Sequence, residues 1–200
     1  MKPSGEIEGS SNGWETIADE FISKASSTIG ANVIDGWSKL LPPSATILDV
    51  GCGFGRTYTQ RILDNGAEVC GIDASKTLLK EYQKRFPSVL VKCETAETSP
   101  FFDKEFEAVL SIGFIFLLSS KEQVLVLQKM ANVLKFEGRL LFTSPYQVCE
   151  WDDLLTGMKS QSLGRDIYIN ILHKQGLSLI NEYTDEGGNH YYDFQKNIAC

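Results

Sequence analysis

Apolar positions along the chain recur first at helical spacing and then in short runs. Trp14, Ile17, Ala18, Phe21 and Ile22 share one helix face; Ile29, Val33, Ile34, Trp37, Leu40 and Leu41 form a second set that stops at Pro42 and Pro43. Thr46 to Val50 then reads as a strand, followed by a glycine-rich turn and a helix carrying Phe54, Tyr58 and Ile62, which Gly66 ends. Val69 to Ile72 is a second strand, with a helix behind it marked by Leu78, Tyr82 and Phe86, capped by Ser75 and stopped before Pro87. Val89 to Cys93 and the continuous apolar run Phe106 to Ile112 read as strands three and four, the latter of the kind buried on both faces of a parallel sheet. Ser120 and Gln123 have capping-box spacing and predict the start of a long helix with a buried stripe at Val124, Leu127, Ala131 and Leu134, before a fifth strand, Gly138 to Thr143.

The remainder reads as a polar connection through Trp151, Asp152 and Asp153, then a helix carrying Leu163, Ile167 and Ile171 and ending at Gly176. Leu177 to Tyr183 and His190 to Phe194, separated by Thr184 to Asn189, predict a β-hairpin. Five β-α repeats closed by an antiparallel pair predict an α/β fold: a Rossmann-like three-layer α/β/α sandwich on a seven-stranded, mostly parallel sheet with a C-terminal antiparallel hairpin. Residues 14–200 are expected to form a single domain, with 14–43 as cover helices and 1–13 as a disordered lead.

At 200 residues, 42% apolar and 22% charged, the chain fits one globular unit. Its net charge of −7 argues against a nucleic-acid partner, which needs clustered Lys and Arg, and favours a small or neutral one. Five scattered cysteines without C-x-x-C or a neighbouring His suggest reduced thiols in a cytoplasmic protein and no metal. The longest uncharged apolar run, Val109 to Leu118, is far short of the roughly 20 residues that cross a bilayer, so no membrane partner is expected.

The most informative segment is Asp49-Val50-Gly51-Cys52-Gly53-Phe54-Gly55. A strand running into three glycines and a helix lets backbone approach a ligand closely and aims free N–H groups at an anion. A nicotinamide fingerprint would put its third glycine at position 56, where Arg56 stands, so the dinucleotide reading fails there. Asp73 closes the second strand 22 residues beyond Gly51, where a carboxylate can accept from both ribose hydroxyls. This Asp-x-Gly-x-Gly-x-Gly pattern with its second acid resembles the first motifs of class I S-adenosylmethionine-dependent methyltransferases. Thr95-Ala96-Glu97-Thr98-Ser99-Pro100-Phe101 looks like that family's adenine loop, with Thr95 where an Asp is usual. Phe106 to Gly113 looks like its fourth-strand motif, with Glu107 replacing a common Asp, and Phe136-Glu137 interrupts a Leu-Lys-Pro-Gly-Gly turn.

The resemblance implies S-adenosylmethionine as cofactor. Asp49 would organise the methionyl ammonium's surroundings, and Gly51, Cys52, Gly53 and Gly55 would admit its amino-acid part. Asp73 would take the ribose; Ala74, Ala96, Glu97, Ser111 and Gly113 would surround adenine and sulfonium. The implied reaction is methyl transfer to an oxygen, nitrogen or sulfur of a small molecule. The chain has Ser111-Ile112-Gly113-Phe114 where methyltransferases of exocyclic amines carry Asn or Asp before Pro-Pro-aromatic. Trp14, Phe21, Tyr146, Trp151, Asp152 and His190 are the candidate acceptor-side residues, and His190 is the candidate base. A non-catalytic cofactor-binding relative and a nicotinamide oxidoreductase are the alternatives.

Overall fold

The computed structural model of the chain describes residues 11–24, 28–55 and 57–197; residues 1–10, Arg56 and Cys200 lie outside the described residues. Two helices, α1 (Trp14–Lys24) and α2 (Ala31–Ser38), precede a β-α series: β1 (Thr46–Val50), α3 (Thr57–Asp64), β2 (Glu68–Asp73), α4 (Lys76–Arg85), β3 (Leu90–Cys93), β4 (Phe106–Ser111), α5 (Ser120–Asn132) and β5 (Leu134–Thr143). β6 (Val148–Asp152), β7 (Lys159–Leu163), α6 (Arg165–His173), β8 (Leu177–Thr184) and β9 (His190–Lys196) complete it. Seven strands form one sheet in the order β3-β2-β1-β4-β5-β9-β8. β1 to β5 run parallel, and β9 pairs antiparallel with both β5 and β8. This is the expected Rossmann-like sheet.

Alternation along each strand sends side chains to two helical layers. In β1, Leu48 and Val50 join α5 and α6 around Val126, Leu127, Met130 and Tyr168, whereas Ile47 faces the layer of Trp37, Tyr58, Ile62 and Tyr82 from α2, α3 and α4. One buried carboxylate ties that second layer to the sheet. Asp193 accepts from Trp37 Nε1 at 3.2 Å, Arg139 Nε at 3.3 Å and Tyr183 hydroxyl at 3.1 Å, and pairs with the Arg139 fork as well. It therefore joins α2, β5, β8 and β9.

Three elements differ from the sequence reading. The long helix is capped one residue earlier, by a reciprocal Ser119 and Glu122 box, so Gln123 is freed from capping and turns inward. Its amide donates to the Leu118 and Gln161 carbonyls, both at 2.9 Å, and accepts from Tyr168 hydroxyl at 2.8 Å. The buried stripe accordingly runs through Val126, Leu127, Met130 and Ala131, with Leu134 already in β5. The supposed polar connection is a separate two-stranded hairpin, β6-β7, and Leu163 closes β7 rather than opening a helix. That helix ends at His173, before Gly176.

The Phe136-Glu137 interruption has a visible consequence: Glu137 sits at φ 62°, a left-handed position natural to glycine. Glu137→Gly is expected to raise stability by about 1 kcal/mol, read as a higher urea midpoint. Asp193→Ala would leave Arg139 without its carboxylate in a nearly enclosed site and should cost about 3 kcal/mol or more. A loss below about 1 kcal/mol in the same assay would show that the Asp193 cluster does not anchor α2.

Candidate functional site

A cavity of about 300 Å³ opens at the carboxyl ends of β1 to β4, where open α/β sheets bind ligands. Its floor is the glycine turn. Gly51 has φ 75°, and a Cβ there would come within 2.5 Å of the Phe114 ring, so the missing side chain is what lets Phe114 seat against the turn. Gly53 faces open space, and its N–H donates to Asp73 Oδ2 at 2.9 Å. Gly55 serves a different purpose: Phe86 and Tyr82 occupy the space of its Cβ, and it does not line the cavity.

Asp73 Oδ1 also accepts from Ser75 N at 2.8 Å, which joins the glycine turn to the start of α4. Burial pushes the Asp73 carboxyl up, against the N–H bonds that favour its charge. Asp49 lies beneath the turn, buried, and its Oδ1 has no hydrogen-bond partner among the described residues. Burial, with the nearby Asp73 charge, pushes its carboxyl up to about 8. Cys52 lines the cavity, and burial raises its thiol, so it is a packing group rather than a nucleophile.

Ala74, Ala96 and Glu97 line the wall beyond β2 and β3, and Gly113 lines the wall beyond β4, where its N–H donates to Thr143 Oγ1 at 2.7 Å. Ser111 is buried below, donating to the Val50 carbonyl at 3.0 Å, and does not reach the cavity.

The roof comes from the N-terminal segment. Trp14 and Phe21 line it, their rings edge to face at 4.9 Å, and Phe21 packs on Phe54 at 5.3 Å. Ser11 and Asn12, placed by the sequence reading in a disordered lead, also line it; Ser11 Oγ accepts from Glu15 N, and Asn12 donates to the Leu117 carbonyl at 2.6 Å. Glu15 fixes α1 in place by accepting from Ser75 Oγ, Thr77 N and Thr77 Oγ1. Trp14 Nε1 is buried with no partner among the described residues.

The other acceptor-side candidates stand apart from the cavity. His190 Nε2 is 3.0 Å from Glu182 Oε1, and its ring packs edge to face on Tyr146 and Tyr192. Asp152 pairs with Lys159 on the surface, and Trp151 stands behind a lining residue, 5.4 Å from the Phe116 ring. The cavity is completed instead by Phe114, Phe116, Leu117, Leu118, Asp153, Leu155, Asn189 and Tyr191. Most of these sit in irregular segments: the tight turn Ile115–Leu117, the β6-β7 turn and the residue before β9. A usable signal was the apolar run continuing past β4 to Leu118.

An adenosyl sulfonium ligand fits this donor and acceptor set: buried Asp49 and half-buried Asp73 below, an open Gly53 face, and aromatic rings above. Among the described residues no group of His, Cys, Asp and Glu could hold a metal, and no helix is long and apolar enough to cross a membrane.

Residues 47–138 match the family described as "Methyltransferase domain". "Putative methyltransferase YqeM" of Bacillus subtilis (strain 168) is 30% identical over 149 residues, covering 69% of this chain and 57% of that protein. "Probable tRNA methyltransferase 9B" of Mus musculus is 31% identical over 102 residues, covering 50% of this chain and 21% of that protein. The chain thus spans little more than half of YqeM's length and a fifth of the mouse protein's. Among solved structures, magnesium protoporphyrin IX methyltransferase (ChlM) from Synechocystis PCC 6803 with bound SAM superposes with a TM-score of 0.74 at 12% identity, covering 98% of this chain and 100% of that one.

Asp49 carries a pH prediction. Between the ordinary carboxyl value near 4 and about 8, the folded state holds one more proton than the unfolded chain. The contribution of this carboxyl is fully present below about pH 4 and is lost as pH rises to about 8. Without ligand, Asp49→Asn should flatten that decline and melt at least about 2–4 °C above the parent at pH 8, the shift that 1 kcal/mol gives a chain of this size. Parallel melting curves from pH 4 to 9 would refute the assignment.

Proposed function

The chain carries a class I S-adenosylmethionine-dependent methyltransferase domain, and on that premise we propose that it transfers the methyl group of S-adenosylmethionine to an oxygen, nitrogen or sulfur of a small-molecule acceptor. The observation that carries this reading is a single cavity running from the Gly51-Gly53 turn and Asp73 to an aromatic roof.

In this reading Gly51 and Gly53 admit the amino-acid end, with Asp49 below favouring a positive group. Asp73 would turn its remaining acceptor capacity to the ribose: an ionised carboxylate offers about four acceptor positions, more than the Gly53, Ser75 and Ala74 N–H groups take up. Ala74, Ala96, Glu97 and Gly113 enclose the base and the sulfonium side. When bound, the donor would supply a methyl carbon already activated by its positive sulfur, so the chain's own residues need only hold the acceptor's lone pair in line with it. The protein's part is alignment and exclusion of water, an effect of up to about 7–11 kcal/mol when reacting atoms are well held. Phe114, Phe116, Trp14, Phe21 and Tyr191 supply aromatic lining to the cavity. His190, bonded to Glu182 outside it, is not assigned as a base in this reading.

Two observations support a small acceptor. The net charge is −7, and the roof is pinned by the Asn12 bond to Leu117 and the Glu15 bonds to α4, leaving a compartment suited to an organic molecule rather than a polynucleotide. The tRNA methyltransferase relative is matched over only a fifth of its length.

S-adenosylhomocysteine at about 100 times its dissociation constant should add about 2.7 kcal/mol, a rise of about 5–10 °C in melting temperature, while NAD gives none. Asp73→Ala should weaken that binding about ten-fold or more with the fold retained by circular dichroism. Absence of any shift would overturn the cofactor reading. Turnover confined to tRNA in an assay that also offers a metabolite panel would overturn the small-acceptor reading.

A further inference from the structure

Lys129, half-buried near the end of α5, gathers three backbone carbonyls: its ammonium donates to Ala96 O, Glu97 O and Ser99 O, each at 2.8 Å. An ammonium has three N–H groups, so all are committed to one loop. The same nitrogen lies 4.8 Å from the Phe101 ring centroid.

The loop it holds is unusual in its backbone. Phe101, Phe102 and Asp103 follow one another at φ 49°, 64° and 53°, three consecutive left-handed residues with side chains, a run that L-residues avoid. Such strain persists only where surrounding contacts over-determine it. Besides Lys129, those contacts are Ser99 Oγ, which accepts from Phe101 N at 3.0 Å and donates to Glu94 at 2.7 Å, and Lys92, 4.7 Å from the Phe102 ring.

The other edge of the loop faces the ligand space: Ala96 and Glu97 line the cavity, and their N–H groups donate to none of the described residues. In a trans peptide the carbonyl and the N–H point to opposite sides. Drawing the Ala96 carbonyl to Lys129 therefore turns the Glu97 N–H away from it.

We propose that Lys129 is a positioning residue for the nucleobase: by collecting the Ala96, Glu97 and Ser99 carbonyls it locks loop 94–103 in a strained form that keeps the Ala96 and Glu97 N–H edge available to adenine. The proposal rests on the cofactor reading above. It gives α5, outside the glycine and acid motifs, a direct hold on donor affinity.

The test is calorimetric titration of the intact chain and its Lys129→Met and Lys129→Arg variants with S-adenosylhomocysteine and with adenosine, well below each melting temperature. Lys129→Met keeps the packing on Phe101 but loses the donors, and should weaken S-adenosylhomocysteine binding about ten- to hundred-fold, with the same factor for adenosine. Lys129→Arg should recover part of the loss. An unchanged dissociation constant in Lys129→Met overturns the proposal, as does a loss confined to S-adenosylhomocysteine, which would point to general loosening of the glycine turn. Failure of the parent chain to bind S-adenosylhomocysteine would instead remove the cofactor reading, and the proposal with it. Independently of any variant, amide exchange at Ala96 and Glu97 in the parent should slow on adding S-adenosylhomocysteine; unchanged exchange there is contrary to the proposal.

Discussion

Two carboxylates withdrawn from solvent at the ends of adjacent strands set the terms for everything above them. The Asp73 charge raises the proton affinity of Asp49, the Glu15 charge raises that of Asp73, and burial raises both more strongly. Among the described residues, backbone donors relieve Asp73, through Gly53 N, Ser75 N and Ala74 N, and leave Asp49 Oδ1 without a partner. Such an arrangement costs stability in the ligand-free chain, and it is the environment in which a cation gains most. Fold and site are therefore one problem: the β1 and β2 register brings Asp49 opposite Gly71, one pair short of the turn, and the glycines let the chain bend over both acids.

The parallel core was legible because its signal is local. β1, β2 and β4 are short apolar runs ended by glycine or polar residues, and α4 carries its cap at Ser75 where the spacing placed it. The misses have a common cause, tertiary contacts overriding weak local signals. Ser119 and Ser120 are adjacent, with Glu122 and Gln123 each three residues on; the choice between two overlapping capping boxes is decided by the buried partners waiting for Gln123. β6 and β7 are polar strands whose buried residues on β7 are Ser160 and Ser162, so no apolar alternation announces them. Ser162 is held by the Pro145 carbonyl, a contact absent from any sequence window.

The same division runs through the site. The cavity's floor is built from strand ends and a glycine turn, whose side-chain directions follow from the pleat, and Gly51, Gly53, Asp73, Ala96 and Glu97 converge there. The cavity's opposite end is built from turns. Tyr146, Trp151 and Asp152 follow the fifth strand on the correct side of the sheet, but the unforeseen hairpin carries them outward and brings Asp153 and Leu155 in instead. Along β9, period two decides the matter: His190 and Tyr192 face one layer, and Tyr191 faces the cavity.

Departures from the family pattern are absorbed by specific contacts. Glu107, longer than the usual Asp, accepts from Thr46 N at 2.8 Å and Thr46 Oγ1 at 2.5 Å, and pairs with Lys135. Against the upward pull of burial, these bonds hold its carboxyl down to about 2. The longer side chain thus ties the start of β4 to the start of β1 and to β5, at the sheet end opposite the cavity. Thr95 does the reverse of what a reading acid would do: its hydroxyl bonds Thr98 and its carbonyl accepts from Thr98 N and Ser99 N, so it shapes the loop. Ser75 caps α4, donates its N–H to Asp73 and its hydroxyl to Glu15 of the cover helix. Roof, helix start and the Asp73 carboxylate therefore meet at one residue, and substitutions at Glu15 and Ser75 cannot be additive, because each removes the other's hydrogen-bond partner.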